Sequence, residues 1–149
     1  MTPEDELLAQ IPEDARGEDF YSASQFAKFF VAEYQRMFAE HDSALFALVS
    51  GDQCQFCASS LQSFADDEAA GSTVAGGEIT PAEALASGGL QNDGMWLVQF
   101  PMHVAEASYF NEDESLRSTV AATDYNVGLL LDHVEGHWTV RGLNLEAAS

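Results

Sequence analysis

The stretch 95–104, MWLVQFPMHV, decides the fold class because its apolar residues recur at every second position. The apolar row consists of Trp96, Val98, Phe100, Met102 and Val104. A period of two residues is typical of a strand with one buried face. The alternation runs on to Phe110, so we expect one long strand over residues 95–110. Pro101 predicts an edge position or a bulge, since proline cannot donate to a strand ladder.

Further strands are expected on both sides of this stretch. Residues 72–80 predict a strand interrupted by glycines, and residues 118–134 predict a second long strand with a bend at Gly128. Glu135-Gly136 predicts a hairpin turn that leads into a last strand over residues 137–145. These segments together predict a meander of about four strands.

The first half of the chain has the period of helices instead. Ser22 and Gln25 offer a capping box, and aromatic residues at three- and four-residue steps predict a helix over residues 23–41. A second helix is expected over residues 44–49, capped by Asp42 or Ser43. Asp52 can cap a third helix, which Gly71 would end.

This order of elements predicts the α+β class. We expect three N-terminal helices packed on a curved, mainly antiparallel sheet of about four strands. Residues 1–21 carry two prolines and many acids without a sustained period, so they predict an acidic flexible leader or linker. Residues 22–149 then form a single domain, a length that suits one packed core.

The net charge of −20 restricts the possible partners. With five basic residues against 25 acidic ones, the chain has little with which to neutralise phosphates. We therefore expect no nucleic acid as a partner and no direct docking on an anionic membrane. No motif predicts a cofactor.

The only cysteines of the chain, Cys54 and Cys57, have the spacing Cys-x-x-Cys near the start of the third predicted helix. Both thiols then point to the same side of its first turn. This spacing allows a structural disulfide, free buried thiols or a redox centre. The redox motif usually follows a strand, and here it follows a helix, so we predict a structural disulfide between Cys54 and Cys57.

Metal binding is not predicted. Zinc commonly requires two cysteine pairs or cysteine with histidine, and the candidates His133 and His137 flank a turn on another element. We expect both histidines to be exposed. The acidic turn 111–114 lacks the spacing of a calcium loop.

Helices followed by a long bent meander that ends in 138–144, WTVRGLN, resemble the cone-shaped fold of nuclear transport factor 2-like proteins. The resemblance covers about residues 22–146. It implies a concave sheet face that forms an apolar cleft with the helices. Its walls are expected to include Phe30, Tyr34, Trp96, Phe100, Tyr125 and Trp138.

A narrower resemblance rests on residues 51–57, GDQCQFC, together with the acidic leader and the aromatic first helix. These features resemble a family of actinobacterial secreted lipoproteins of unknown function. Membership implies an extracytoplasmic protein with a signal peptide and a lipid-anchored cysteine upstream. Contact with a membrane would then occur through that anchor alone.

Two functions follow as hypotheses. The first is a non-catalytic cell-envelope domain that binds a small ligand or an envelope protein, with a homodimer through the sheet as a possible assembly. The second is a small-molecule enzyme of the ketosteroid-isomerase or polyketide-cyclase type, since the cone fold also houses such enzymes. Tyr34, His103, Asp124 and Tyr125 are its candidate polar groups. No spacing singles out an acid–base pair, so no catalytic residue is predicted.

Overall fold

A computed structural model describes residues 2–148 of the chain. The helices are α1 (Pro3–Leu8), α2 (Phe20–Glu40), α3 (Ala44–Val49) and α4 (Gln55–Ala70), with short 3-10 helices at Glu13–Ala15 and Glu83–Leu85. The strands are β1 (Thr73–Gly76), β2 (Ile79–Pro81), β3 (Ser87–Leu90), β4 (Trp96–Val104), β5 (Ala107–Phe110), β6 (Leu116–Val120), β7 (Thr123–Val134) and β8 (His137–Ala147). The α+β class and the antiparallel pairing are confirmed.

Helix α2 contacts β1, β2 and β4 and is the main cover of the sheets. Its cap is Asp19, whose carboxylate accepts a hydrogen bond from the Ser22 backbone N–H at 2.8 Å, so the helix begins three residues before the predicted start. Phe26 and Phe30 lie on its buried face with no exposed surface. The aromatic period of the sequence therefore marks core residues, as expected of an amphipathic helix.

A disulfide joins Cys54 and Cys57 at the start of α4, with 5.2 Å between the two Cα atoms. Cys54 is itself the N-cap, since its Sγ accepts a hydrogen bond from the Cys57 backbone N–H at 3.1 Å. The predicted cap Asp52 lies ahead of it. Both cysteines are buried, so they lack the exposure that a redox centre requires. Gly71 ends the helix with a left-handed backbone, as the sequence predicts.

The large sheet has the strand order β2-β4-β7-β8, and β3 pairs with β4 beyond the end of β2. Pro101 lies in β4 opposite the gap between β2 and β3, where its carbonyl accepts a hydrogen bond from the Ala82 N–H. The missing N–H of proline thus falls where no ladder partner is needed. The inner face carries the row from Trp96 to Val104 that the alternation predicts.

A second sheet of three strands has the order β1-β5-β6. Three segments expected as single strands are each divided, at residues 77–78, 105–106 and 121–122, into one strand of the small sheet and one of the large sheet. Backbone hydrogen bonds from Gly77 N to Glu106 O and from Ala105 N to Glu78 O join the strands across this line. The expected curvature is therefore concentrated in one sharp bend, and Gly128 lies within the unbroken strand β7.

The predicted counts of elements were too low. The described residues contain four α-helices where three were expected, and eight strands where about four were expected. The additional helix α1 lies in the predicted leader, where the sequence indicates only a short helical turn at Leu7 and Leu8, and it has a capping box between Thr2 and Asp5. None of the helices in the described range is long and apolar enough to cross a membrane.

The described part of the leader packs against the domain. Ile11 and Ala15 are buried in the same core as α2, and the Trp138 indole N–H donates to the Gly17 carbonyl at 3.1 Å. His133 is mostly buried, contrary to expectation, because its ring contacts both the Arg16 carbonyl and the Trp138 ring. The boundary between residues 21 and 22 falls inside α2, and the division into leader and domain stays a prediction.

Candidate functional site

A cleft lies where the two sheets bend apart under α2 and α4, and its volume is about 560 Å³. That volume lies within the range of small-molecule sites, roughly 300–1,000 Å³. Its walls are mostly apolar and aromatic. They include Phe30, Val31, Tyr34, Phe38 and Phe56 from the helices, and Val74, Ile79, Met102, Val104, Ala107, Tyr109, Val120, Tyr125, Leu143 and Leu145 from the strands.

Tyr34 reaches the cleft from the middle of α2 and contacts three phenylalanines. Its ring centre lies 5.2 Å from that of Phe38, 5.6 Å from that of Phe56 and 6.2 Å from that of Phe46. Burial raises the pKa of the Tyr34 hydroxyl, and the neighbouring Tyr109, Asp67 and Tyr125 raise it further. The hydroxyl therefore stays protonated, and able to donate a hydrogen bond, over the whole physiological range.

Arg117 on β6 stands at the rim of the cleft. Its Nη1 donates to the Ser72 hydroxyl at 3.1 Å and lies 3.9 Å from Asp67 Oδ1, which is too far for a hydrogen bond. The guanidinium carbon lies 5.7 Å from the centre of the Tyr109 ring, within the range of a cation–π contact. The side chain is 41% exposed, so it remains accessible from solvent.

Three of the six predicted wall residues line the cleft: Phe30, Tyr34 and Tyr125. Phe100 and Trp138 are buried in the core at 3% and 0% exposure. Trp96 packs edge-on against Trp138 with 6.0 Å between the ring centres, so these three aromatics belong to the opposite part of the inner face. The predicted apolar row of β4, from Trp96 to Val104, does face inward, but only Met102 and Val104 of this row line the cleft.

Sequence reasoning missed Tyr109, Arg117 and Asp67. The row from Trp96 to Val104 occupies even positions, whereas Tyr109 is odd, because the chain passes to the small sheet at residues 105–106. The signal was Glu106, a charged residue at the next position of an otherwise apolar row. A charge there indicates that the strand ends or changes its face.

The polar groups named for an isomerase-type site do not come together. Tyr34 and Tyr125 line the cleft, but His103 and Asp124 do not. His103 Nδ1 lies 2.6 Å from Asp124 Oδ1 in an exposed cross-strand pair, with side chains 49% and 71% exposed. An exposed pair outside the cleft is not placed to act on a molecule inside it.

The described range contains no group of three or more His, Cys, Asp or Glu side chains that could hold a metal ion. His133 and His137 lie at the two ends of the hairpin between β7 and β8. The His133 ring contacts the Arg16 carbonyl and the Glu18 carboxylate, so it holds the leader against the hairpin.

Within residues 2–148, fold and site define an α+β domain of two antiparallel sheets with an apolar, tyrosine-lined cleft. The chain belongs to the family described as "Family of unknown function (DUF6318)", which matches residues 10–144. No curated protein matches the chain.

The solved structures that are similar to this chain include the following two. The crystal structure of the intermembrane space region of chloroplast protein ARC6 aligns with a TM-score of 0.55 at 13% identity, covering 84% of this chain and 97% of that chain. A periplasmic fragment of TraM aligns with a TM-score of 0.47 at 14% identity, covering 82% and 96% respectively. At this identity the first likeness shows the fold alone, and the second is too weak to carry an argument.

Proposed function

We propose that this chain is a non-catalytic extracytoplasmic domain that binds a small, largely apolar ligand in the cleft between α2, α4 and the two sheets. The observation that carries this proposal is the cleft itself. An opening of about 560 Å³ with a mainly aromatic and aliphatic wall suits the burial of an apolar ligand. The same surface would be a liability on a domain without a binding role.

The compartment is part of the proposal. The Cys54–Cys57 disulfide supports it, since disulfides persist in oxidising environments and are rare in the cytosol. The intermembrane space region of ARC6, a chloroplast protein, is similar in fold. The lipid anchor upstream, the actinobacterial origin and the nuclear-transport-factor-2-like cone are finer points of the same proposal.

Binding to the cleft is tested by titrating the protein with Nile red, a neutral apolar dye. Ala39 is an exposed residue of α2 that lines the cleft, so Ala39→Trp fills the opening without disturbing the core. Ala32 is exposed on the same helix but outside the lining, so Ala32→Trp is the matched control. We expect saturable binding that A39W weakens roughly tenfold, a loss of about 1.4 kcal/mol, and that A32W leaves unchanged.

Two results would overturn the proposal. The first is a wild-type protein that shows no saturable binding. The second is an equal response of both tryptophan variants, which would mean that the dye binds elsewhere.

An envelope partner protein and a homodimer through the sheet also stay proposals. Leu130 supports the dimer, because it lies on the outer face of the large sheet with 37% of its surface exposed. Light scattering on the wild type and on Leu130→Glu tests this arrangement. A dimer should dissociate in the variant, and a wild type that is monomeric at all concentrations would contradict it.

A further inference from the structure

The hydroxyl groups inside the cleft are donors without acceptors. Tyr34, Tyr109 and Tyr125 all line it, on α2, β5 and β7 respectively. None of their hydroxyls forms a hydrogen bond with another residue in the range 2–148. Three elements thus place phenol groups at one cleft. In the described residues none of these hydroxyls is among the fully buried atoms without a partner, so solvent reaches them, and a ligand that accepts a hydrogen bond can take the place of that water.

Arg117 adds a charged donor at the same cleft. It is the one basic side chain among the lining residues in the described range. The other four basic residues of the chain have partners elsewhere: Lys28 pairs with a glutamate, Arg36 with Glu33, Arg16 with backbone carbonyls and Arg141 with an aspartate. Arg117 uses only Nη1 for its bond to Ser72, and its Nε and Nη2 donate to no described residue.

The acceptors of the lining do not use up these donors. Asp67 lies 3.9 Å from the guanidinium, and the Gln35 side-chain oxygen already accepts from the Ile79 N–H at 3.2 Å. Asp67 and Glu78 add negative charge to the lining, and the chain as a whole carries −20. That long-range field opposes the approach of an anion and is screened by salt, whereas contact with the guanidinium acts on the bound ligand.

We propose that the natural ligand is an amphipathic acid: an apolar body that fills the aromatic part of the cleft and a carboxylate or phosphate head that accepts hydrogen bonds from Arg117 and the tyrosine hydroxyls. The planar guanidinium fork matches either head group. Without ligand, Asp67 lies beside Arg117. When the ligand binds, its head group takes the place of Asp67 next to the guanidinium. The inference rests on the proposed function, since it specifies what the same cleft holds.

A matched series of decyl compounds tests the head group. Decanoate and decyl phosphate carry the proposed heads, decanol is neutral and decyltrimethylammonium is cationic. Each is titrated by calorimetry below its micelle concentration and at about 150 mM salt, where the field of distant surface charges is largely screened. We expect decanoate or decyl phosphate to bind at least tenfold more tightly than decanol, and the cation to bind most weakly. Comparing the two anions separates a carboxylate head from a phosphate head.

Variants then locate the head group. Arg117→Gln should weaken the anion by roughly tenfold or more, because a hydrogen bond to a charged group is lost, and should leave decanol unchanged. Asp67→Asn should tighten the anion, because it removes the competing charge. Lys28→Gln is the control for Arg117→Gln: it also removes one positive charge, but on the exposed side of α2, and it should leave binding of the anion unchanged. Circular dichroism melts confirm that each variant is folded.

The outcomes separate the two proposals. If decanol or the cation binds as tightly as the anions, or if R117Q leaves the anions unaffected, the amphipathic-acid inference is wrong while the cleft remains a binding site. If no member of the series binds and Nile red does not bind either, the proposed function itself is wrong.

Discussion

The inner face of the large sheet is apolar on β4, β7 and β8, yet its two ends differ. At one end Leu129, Leu131 and Trp138 have no exposed surface; α3 and α4 contact β8 there, and the leader contacts Trp138. At the other end Tyr125 and Leu145 line the cleft, because the chain bends into the small sheet and the helices do not close over the opening. The same alternation of residues thus produces a packed core at one end and a binding surface at the other. The elements that pack over a strand decide whether its inner face becomes part of the core or part of a binding surface.

The largest expected effect compares the same substitution at the two ends. Leu129→Ala opens a cavity in the packed end and should lower the free energy of unfolding by about 3–5 kcal/mol. Leu145→Ala in the neighbouring strand removes a side chain that is 37% exposed, so about 1 kcal/mol or less should be lost. Urea unfolding of both variants measures the difference. Equal losses would show that the cleft end is packed as tightly as the core.

The leader provides the second test. Ile11→Ala should cost about 2–4 kcal/mol, because Ile11 is 3% exposed within the core cluster. The neighbouring Gln10 is exposed, so Gln10→Ala is the control and should be close to neutral. If residues 1–21 are instead a flexible leader, as the sequence predicts, both variants will unfold at the wild-type urea concentration.

The third test concerns α4, which begins beside the packed end and carries Asp67 to the cleft. Its start is fixed by the Cys54–Cys57 disulfide and by a hydrogen bond from Gly51 N to the Val140 carbonyl at 2.8 Å. Replacing both cysteines by serine should cost at most about 2 kcal/mol, since the closed loop is short. Serine can still cap the helix.

Hydrogen exchange should show the loss in α4, while the packed part of β7, residues 127–131, stays protected. Loss of protection in β7 to the same extent would contradict this division. Reduction of the wild type should also add the mass of two hydrogens.

The sequence was a good guide to the packed end and a poor one to the cleft. Periodicity identified the buried faces of α2 and β4, because packing follows the period of each element. The bend was missed because the segments on either side of it are both extended, and the charge of Glu106 within the apolar row was a weak local sign of it. Arg117 and Asp67 are distant in sequence and meet only through the pairing of β5 with β6 and the position of α4, so no local spacing could place them together.

The smallest expected effect lies at the cleft and appears only in alkaline solution. The pKa of Tyr34 is raised above its ordinary value of 10.0, chiefly by burial, so the folded protein holds this proton more tightly than the unfolded chain. The stabilisation that this proton gives is fully present below the pKa of the unfolded chain, about pH 10, and is lost as the pH rises toward the pKa in the folded state. Tyr34→Phe cannot ionise, so its urea midpoint should fall less steeply above pH 10 than that of the wild type. Tyr21→Phe is the control, because Tyr21 is 61% exposed, and it should follow the wild-type curve. If the urea midpoints of all three proteins fall equally steeply with pH, the cleft is hydrated enough for Tyr34 to titrate as in water. Tyr34 would then belong to the solvated cleft and not to the packed core.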